Sequence, residues 1–180
     1  SASPLNTVSL LYLSSGKTAS VLSAAQGAGD GYEVVDVRCS ESGLIWTESS
    51  AYESSWRVYT AKLSNGSATA ITQVDQGDGN WLMPSLAAVG ETAFWQVCPN
   101  TSGDAASERS ALKSARFGSS DVAVPYTSKK AFATRVTPAD DVGGKQALRF
   151  AGYGDRLQVV VSAEGGIGKP SAQQQGRDGH

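Results

Sequence analysis

Acidic side chains gathered in glycine-rich connections are the first candidates for chemistry in this sequence. Asp30, Asp75, Asp78, Asp140 and Asp141 fall in segments such as QGAGDGY (26–32), QGDGNW (76–81) and TPADDVGGK (137–145). Carboxylates beside Asn80 and backbone carbonyls are the oxygen ligands of calcium, which takes roughly six to eight of them. Asp75, Asp78 and Asn80 are the candidate metal set, and calcium is the one cofactor they suggest. Against that, DQGDGN lacks the ligand run and the bidentate glutamate of an EF-hand loop. Asp, Asn and Gly are also ordinary turn formers.

Nucleophilic chemistry has little to build on. The one histidine is His180, the last residue of the polar segment QQQGRDGH (173–180), which is expected to be disordered. A Ser-His-Asp triad within these 180 residues is therefore not expected. Two cysteines and a terminal histidine are a poor set for zinc. GGIGKP (165–170) lacks the phosphate-loop spacing. A pair of acids for glycoside hydrolysis stays open, because acids are plentiful and nothing singles out two of them.

Aromatic residues divide into two groups once the strands are placed. VSLLYL (8–13) and TASVLSA (18–24) flank the turn SSGK, and both are rich in β-branched and apolar residues. The same form returns as WRVYTAKL (56–63), SNGS and ATAITQV (68–74). It returns again as SALKSARF (110–117), GSS and DVAVPYT (121–127). Asn65-Gly66 is a strong hairpin signal, since both residues take positive φ cheaply. Between these hairpins a second pair recurs. YEVVDVRC (32–39) leads to LIWTES (44–49), MPSLAAV (83–89) to AFWQVC (93–98), and QALRFAG (146–152) to RLQVVVS (156–162). Trp46 and Trp95 occupy the same place in their strands, 49 positions apart.

The unit is thus four short antiparallel strands in about 50 residues, the sequence form of a β-propeller blade. With strands named a to d from the channel outward, residues 1–172 read c–d, a–b–c–d, a–b–c–d, a–b. That is twelve strands, or about three blades. Propellers carry roughly four to eight blades. The segment is therefore expected to belong to a larger ring, or to be a half-ring that dimerises into six blades by joining its spare c–d and a–b pairs.

The units LIWTES…WRVYTAKLSNG and AFWQVC…SALKSARFG carry a family likeness. In them an apolar-Trp-x-(Glu/Gln) strand is followed by an apolar strand and a glycine turn. This resembles the blades of the TolB-like and WD-repeat-like propeller superfamily of cell-envelope proteins. The resemblance is architectural and spans nearly the whole chain. No copy has the Ser-Pro-Asp-Gly turn or the Gly-His…Trp-Asp pair. It therefore implies a propeller and a habit of binding partners, and it transfers no site residue.

On this plan the tight a–b and c–d turns share one face, and the longer b–c and d–a connections share the other. Long loops on a rigid scaffold are where binding residues collect. Tyr52, Glu53, Trp56, Trp81, Asp30, Asp78 and Asp104 are the candidate ligand-binding residues there. Trp46, Trp95, Tyr59 and Phe94 lie inside repeated strand positions and are expected to be core. Cys39 ends its strand at the tight-turn face and Cys98 ends its strand at the opposite face, so no bridge is expected. Both should be small, buried residues.

Composition agrees with recognition more than with catalysis. Net charge is only −2, which argues against nucleic acid as the main partner. No apolar run approaches the roughly 18 residues of a membrane span. Charged residues are 18%, below the roughly 25% of average domains. Ser, Thr, Ala and Gly fill the difference, as in exported all-β proteins. The expected function is non-catalytic binding of a protein, peptide or glycan by an exported or cell-envelope scaffold. The alternative is the propeller domain of a larger hydrolase whose catalytic residues lie elsewhere.

Overall fold

A computed structural model of the chain describes residues 6–50, 54–100, 109–128, 135–139, 147–151, 156–160 and 171–172. The architecture is all-β, with one short 3-10 turn at Ala28–Asp30. Strands β1 (Val8–Tyr12) and β2 (Lys17–Leu22) form a two-stranded antiparallel sheet. Three four-stranded antiparallel sheets follow. The first holds β3 (Tyr32–Cys39), β4 (Gly43–Ser50), β5 (Ser55–Ser64) and β6 (Ser67–Gly77). The second holds β7 (Ser85–Val89), β8 (Thr92–Val97), β9 (Ala111–Arg116) and β10 (Ala123–Thr127). The third holds β11 (Arg135–Ala139), β12 (Ala147–Ala151), β13 (Arg156–Val160) and β14 (Ser171–Ala172). In each, strands adjacent in sequence are adjacent in the sheet.

Local chemistry explains these meanders. Asn65 and Gly66 adopt φ of 51° and 76°, so a two-residue turn closes β5 onto β6, pairing Ser64 with Ser67. β4 reads GLIWTESS and is buried along almost its whole length, which requires cover on both faces. The cover comes from different neighbours. Leu44 and Trp46 meet Val8, Val21, Leu22 and Ala25 of the β1–β2 hairpin and its exit. Ile45 points the other way, with Trp56 and Val58, against Leu86, Ala93, Trp95, Val97 and Phe117 of the second sheet. The sheets thus stack face to face, each one's alternation feeding two cores. As expected, Trp46, Trp95 and Phe94 are fully buried and Tyr59 nearly so.

First strands converge: β7 lies against both β3 and β11. The tight turns share one end of the stack. There Leu63 N–H donates to the Ser42 carbonyl and Phe117 N–H to the Glu91 carbonyl. Ser40 Oγ donates across sheets to the Gly90 carbonyl at 2.6 Å. Gly43 sits under this end, where a Cβ would overlap the Phe117 ring and stand 2.5 Å from the Ala61 carbonyl oxygen. The backbone oxygen cannot yield cheaply, so Gly43→Ala should destabilise the chain by about 1–3 kcal/mol. Chemical denaturation reads this directly. A midpoint unchanged from the parent would mean that the turn relaxes freely.

Two expectations need correcting. The last unit is a four-stranded sheet, where the sequence suggested an a–b pair. QALRFAG and RLQVVVS are its second and third strands, so among the described residues there are fourteen strands and not twelve. The first strand, β11, was hidden in RVTPA, whose Pro138 reads as a connection. Pro138 is tolerated because β11 is an edge strand. Without a spare a–b pair at that end, the half-ring dimer loses the complement on which it rested. The second correction concerns Cys39, which is exposed, whereas Cys98 is buried as expected; neither is in a disulfide.

Candidate functional site: the connector end

Opposite the tight turns, the connections between sheets and the β4–β5 ends come together. The first connector is anchored by Glu48, which is fully buried on β4. Its Oε1 accepts from the Gln26 backbone N–H at 2.7 Å and from Trp46 Nε1 at 2.8 Å, and its Oε2 accepts from the Gly27 N–H at 2.8 Å. Three donors converge on an acceptor-only group, so the connector leaving β2 is fixed from beneath. Trp46 is stacked on Tyr59 with centroids 5.5 Å apart. Burial pushes the Tyr59 phenol above its ordinary value, against the lowering effect of its hydrogen bond to Arg57.

Arg57 continues this cluster to the surface. Its guanidinium carbon lies 3.9 Å over the Tyr32 ring, and its Nη1 is 3.6 Å from Asp30 Oδ2. Partial desolvation works against the Arg57 charge. The hydrogen bond to Tyr59 and the fields of Tyr32, Tyr59 and Asp30 outweigh it and hold the guanidinium more firmly protonated. The Tyr32 hydroxyl shares a 2.6 Å hydrogen bond with Ser55 Oγ. Asp30 is exposed, and a rim ion pair of this kind contributes little stability. Its value is to present a carboxylate and a cation side by side.

The second connector is built differently. Asp78 Oδ1 accepts from the Asn80 N–H at 2.9 Å, and the Asp78 carbonyl accepts from the Trp81 N–H at 3.0 Å. Asn100 N–H donates to the Asn80 carbonyl at 2.8 Å, and Asn100 Nδ2 to the Gly79 carbonyl at 3.1 Å. Trp81 bridges to Pro99 and is half-buried against the second core. Beside it Leu82 and Met83 are exposed.

Of the seven expected ligand-binding residues, the structure therefore brings Asp30, Asp78 and Trp81 to this end, with Asp30 and Asp78 exposed. Trp56 is a core residue instead, only 3% exposed, with its indole pressed against Gly77 where a Cβ would overlap it. Tyr52, Glu53 and Asp104 lie outside the described residues, as do Asp140, Asp141 and His180.

The metal candidates separate. Asp75 belongs to β6 and not to the connection. Its Oδ2 takes Trp95 Nε1 at 2.7 Å and Lys113 Nζ at 2.8 Å, which ties the first four-stranded sheet to the second. Among the described residues no three His, Cys, Asp or Glu side chains gather as a metal site. Residues that sequence reasoning missed are Glu48, Arg57 and Tyr32. The signal for Glu48 was the repeated Gln-Gly connector, which needs an acceptor for its backbone N–H groups.

Fold and site together define an all-β protein of face-stacked antiparallel sheets with a polar, aromatic-lined connector end. No protein-family model and no curated protein matches the sequence. Among solved structures, a puromycin-hydrolyzing peptidase of Mycobacterium tuberculosis is similar over 84% of this chain, at 16% identity and a TM-score of 0.48. A protein of unknown function from Bacteroides caccae is similar over 95%, at 7% identity and a TM-score of 0.40. This chain spans 23% of the peptidase and 56% of the second protein. Among the described residues no helix is long and apolar enough to cross a membrane.

Proposed function

We propose that the chain is a segment of a β-propeller that serves as a rigid, non-catalytic scaffold, binding a protein, peptide or glycan of the cell exterior at its connector end. The observation that carries this reading is the convergence of β3, β7 and β11, with each sheet's later strands stepping outward in sequence order. Supporting it, the connector end offers exposed Asp30 beside the cation of Arg57 and, on the second connector, exposed Asp78 next to half-buried Trp81, flanked by exposed Leu82 and Met83. Such a mixture of aromatic anchor and polar rim suits recognition. A calcium ion at this end would be held by Asp78 with backbone carbonyls, and Asp75 would be unavailable to it.

The test is a screen of the purified chain against glycan and extended-peptide arrays, repeated with Trp81→Ala and with Asp78→Lys. A ligand whose binding weakens about tenfold or more in either variant supports the reading. Binding indifferent to both variants would place recognition elsewhere, and no binding across the arrays would remove the proposal.

A further inference from the structure

β1 and β2 have the placement of an outer strand pair whose inner pair is missing. β2 lies against β6, the outermost strand of the neighbouring sheet. The hairpin tips also coincide, since a Cβ on Gly66 would stand 3.1 Å from the Tyr12 hydroxyl and 3.6 Å from Ala19 Cβ. By position β1 corresponds to β5 and β2 to β6. Inward of β1, where β3 and β4 stand in the next sheet, the described residues contain nothing.

The neighbouring surface shows the consequence. The face of β7 toward the preceding sheet is covered, with Leu86 2% exposed and Ala88 half-buried against the shared core. On β3 the corresponding stretch is open: Val35 is 48% exposed, Val37 is half-buried and Cys39 is exposed. Cys39 pairs with Leu44 and Val37 with Trp46, so both point to the face that meets the β1–β2 hairpin. A groove of about 350 Å³ runs between Thr7–Ser9 and Val34–Val37. Val8 and Val34 line it and also belong to the core beside it, so that core continues into the groove.

The strand edges differ in the same sense. β6 carries two register shifts with Ala70 at positive φ, and β10 carries Pro125 within a register gap. These devices blunt an edge against further pairing. β1 reads VSLLY, with no charge, no proline and one irregularity at its first residue. Such an edge is built to be covered. In the three complete sheets the inner pair always precedes the outer pair in sequence.

We propose that the β1 edge and the open face of β3 receive an antiparallel β-hairpin of the repeat's own type, carried by the polypeptide ahead of β1, with apolar residues facing Val35, Val37 and Cys39. A second copy of this chain has no spare pair to offer among its described residues. The inference goes beyond recognition at the connector end and does not depend on it.

The experiment compares the 180-residue chain with the same chain extended ahead of Ser1 by a copy of residues 32–54, carrying Cys39→Ser in the copy. Buried Cys98 serves as the internal reference. The extended chain should show alkylation of the native Cys39 slowed by about tenfold or more, and slower hydrogen exchange at the β1 amides. Val35→Lys in the native β3 should restore the parent rates, because it places a charge in the groove. Unchanged Cys39 and β1 rates in the extended chain overturn the proposal. So does protection that Val35→Lys fails to relieve. A parent chain that is already a dimer with β1 and Cys39 protected also overturns it, since the occupant is then a second copy.

Discussion

Trp46→Ala is expected to remove about 3–5 kcal/mol of folding free energy, the range for truncating a large buried aromatic. Small domains hold about 5–15 kcal/mol in total, so the variant should be at the border of folding at room temperature. The size of the effect follows from the number of roles the ring has. It is fully buried, stacked on Tyr59, and in the cluster that holds Val8, Leu22 and Ala25 of the preceding hairpin. Its N–H also occupies one of the Glu48 oxygens. Trp46→Phe should keep most of the packing and lose the hydrogen bond, costing distinctly less. Urea titrations of the two variants check this. A loss below about 1 kcal/mol for alanine would mean that the hairpin is not seated on the first four-stranded sheet as described.

The second large effect belongs to Glu48. Glu48→Gln preserves the shape but turns an NH2 group toward donors that need an acceptor. At least one of Gln26 N–H, Gly27 N–H and Trp46 Nε1–H is then left without one. Each buried donor so stranded costs about 1–3 kcal/mol. Glu48→Ala strands all three and opens a cavity, so it should cost more than the amide. A further signature separates this from a general packing defect. Exchange of the Gln26 and Gly27 amides should accelerate well before the strands open, because the Glu48 carboxylate accepts both of them. If those amides stay as slow as their neighbours in the variant, the connector is fixed by something else.

Combining the substitutions tests the network itself. Trp46→Phe and Glu48→Ala remove the same hydrogen bond from its two ends, so their costs should not add, and the shortfall measures the coupling. Additive costs would place the two side chains in separate interactions.

Much of the strand order was legible because the turn chemistry is explicit. Asn65-Gly66 and the SSGK turn mark hairpins whose strands are rich in β-branched and apolar residues, and the Trp46 and Trp95 positions set the period. The third sheet was read out of phase for a physical reason. β11 contains a proline that only an edge strand accepts, and β14 is two residues long, too short for any periodicity. The burial of Cys39 was misjudged because it depends on what packs over that face of β3, which no local pattern reports. At the connector end, Asp30, Asp78 and Trp81 were found from loop composition. Glu48 was not, since a glutamate inside an apolar strand looks like an outward-facing residue until its three donors are seen. Trp56 was misplaced by sitting at a strand's start, where the ring folds back over Gly77.

The sequential strand order within each sheet has a consequence for biosynthesis. Every pairing inside β3–β6 joins segments that leave the ribosome one after another. A hairpin closes in about 1–10 μs, whereas translation adds about 5–20 residues each second. Each meander therefore has seconds in which to form before the next has been made. What it lacks in that interval is a lid: β4 is apolar on both faces, and one face stays wet until β7–β8 emerges. Nascent chains halted after Gly77 should thus be the sticky ones, and nascent chains halted after Phe117, once the second sheet has supplied Leu86, Trp95 and Phe117, should release from hydrophobic-binding chaperones.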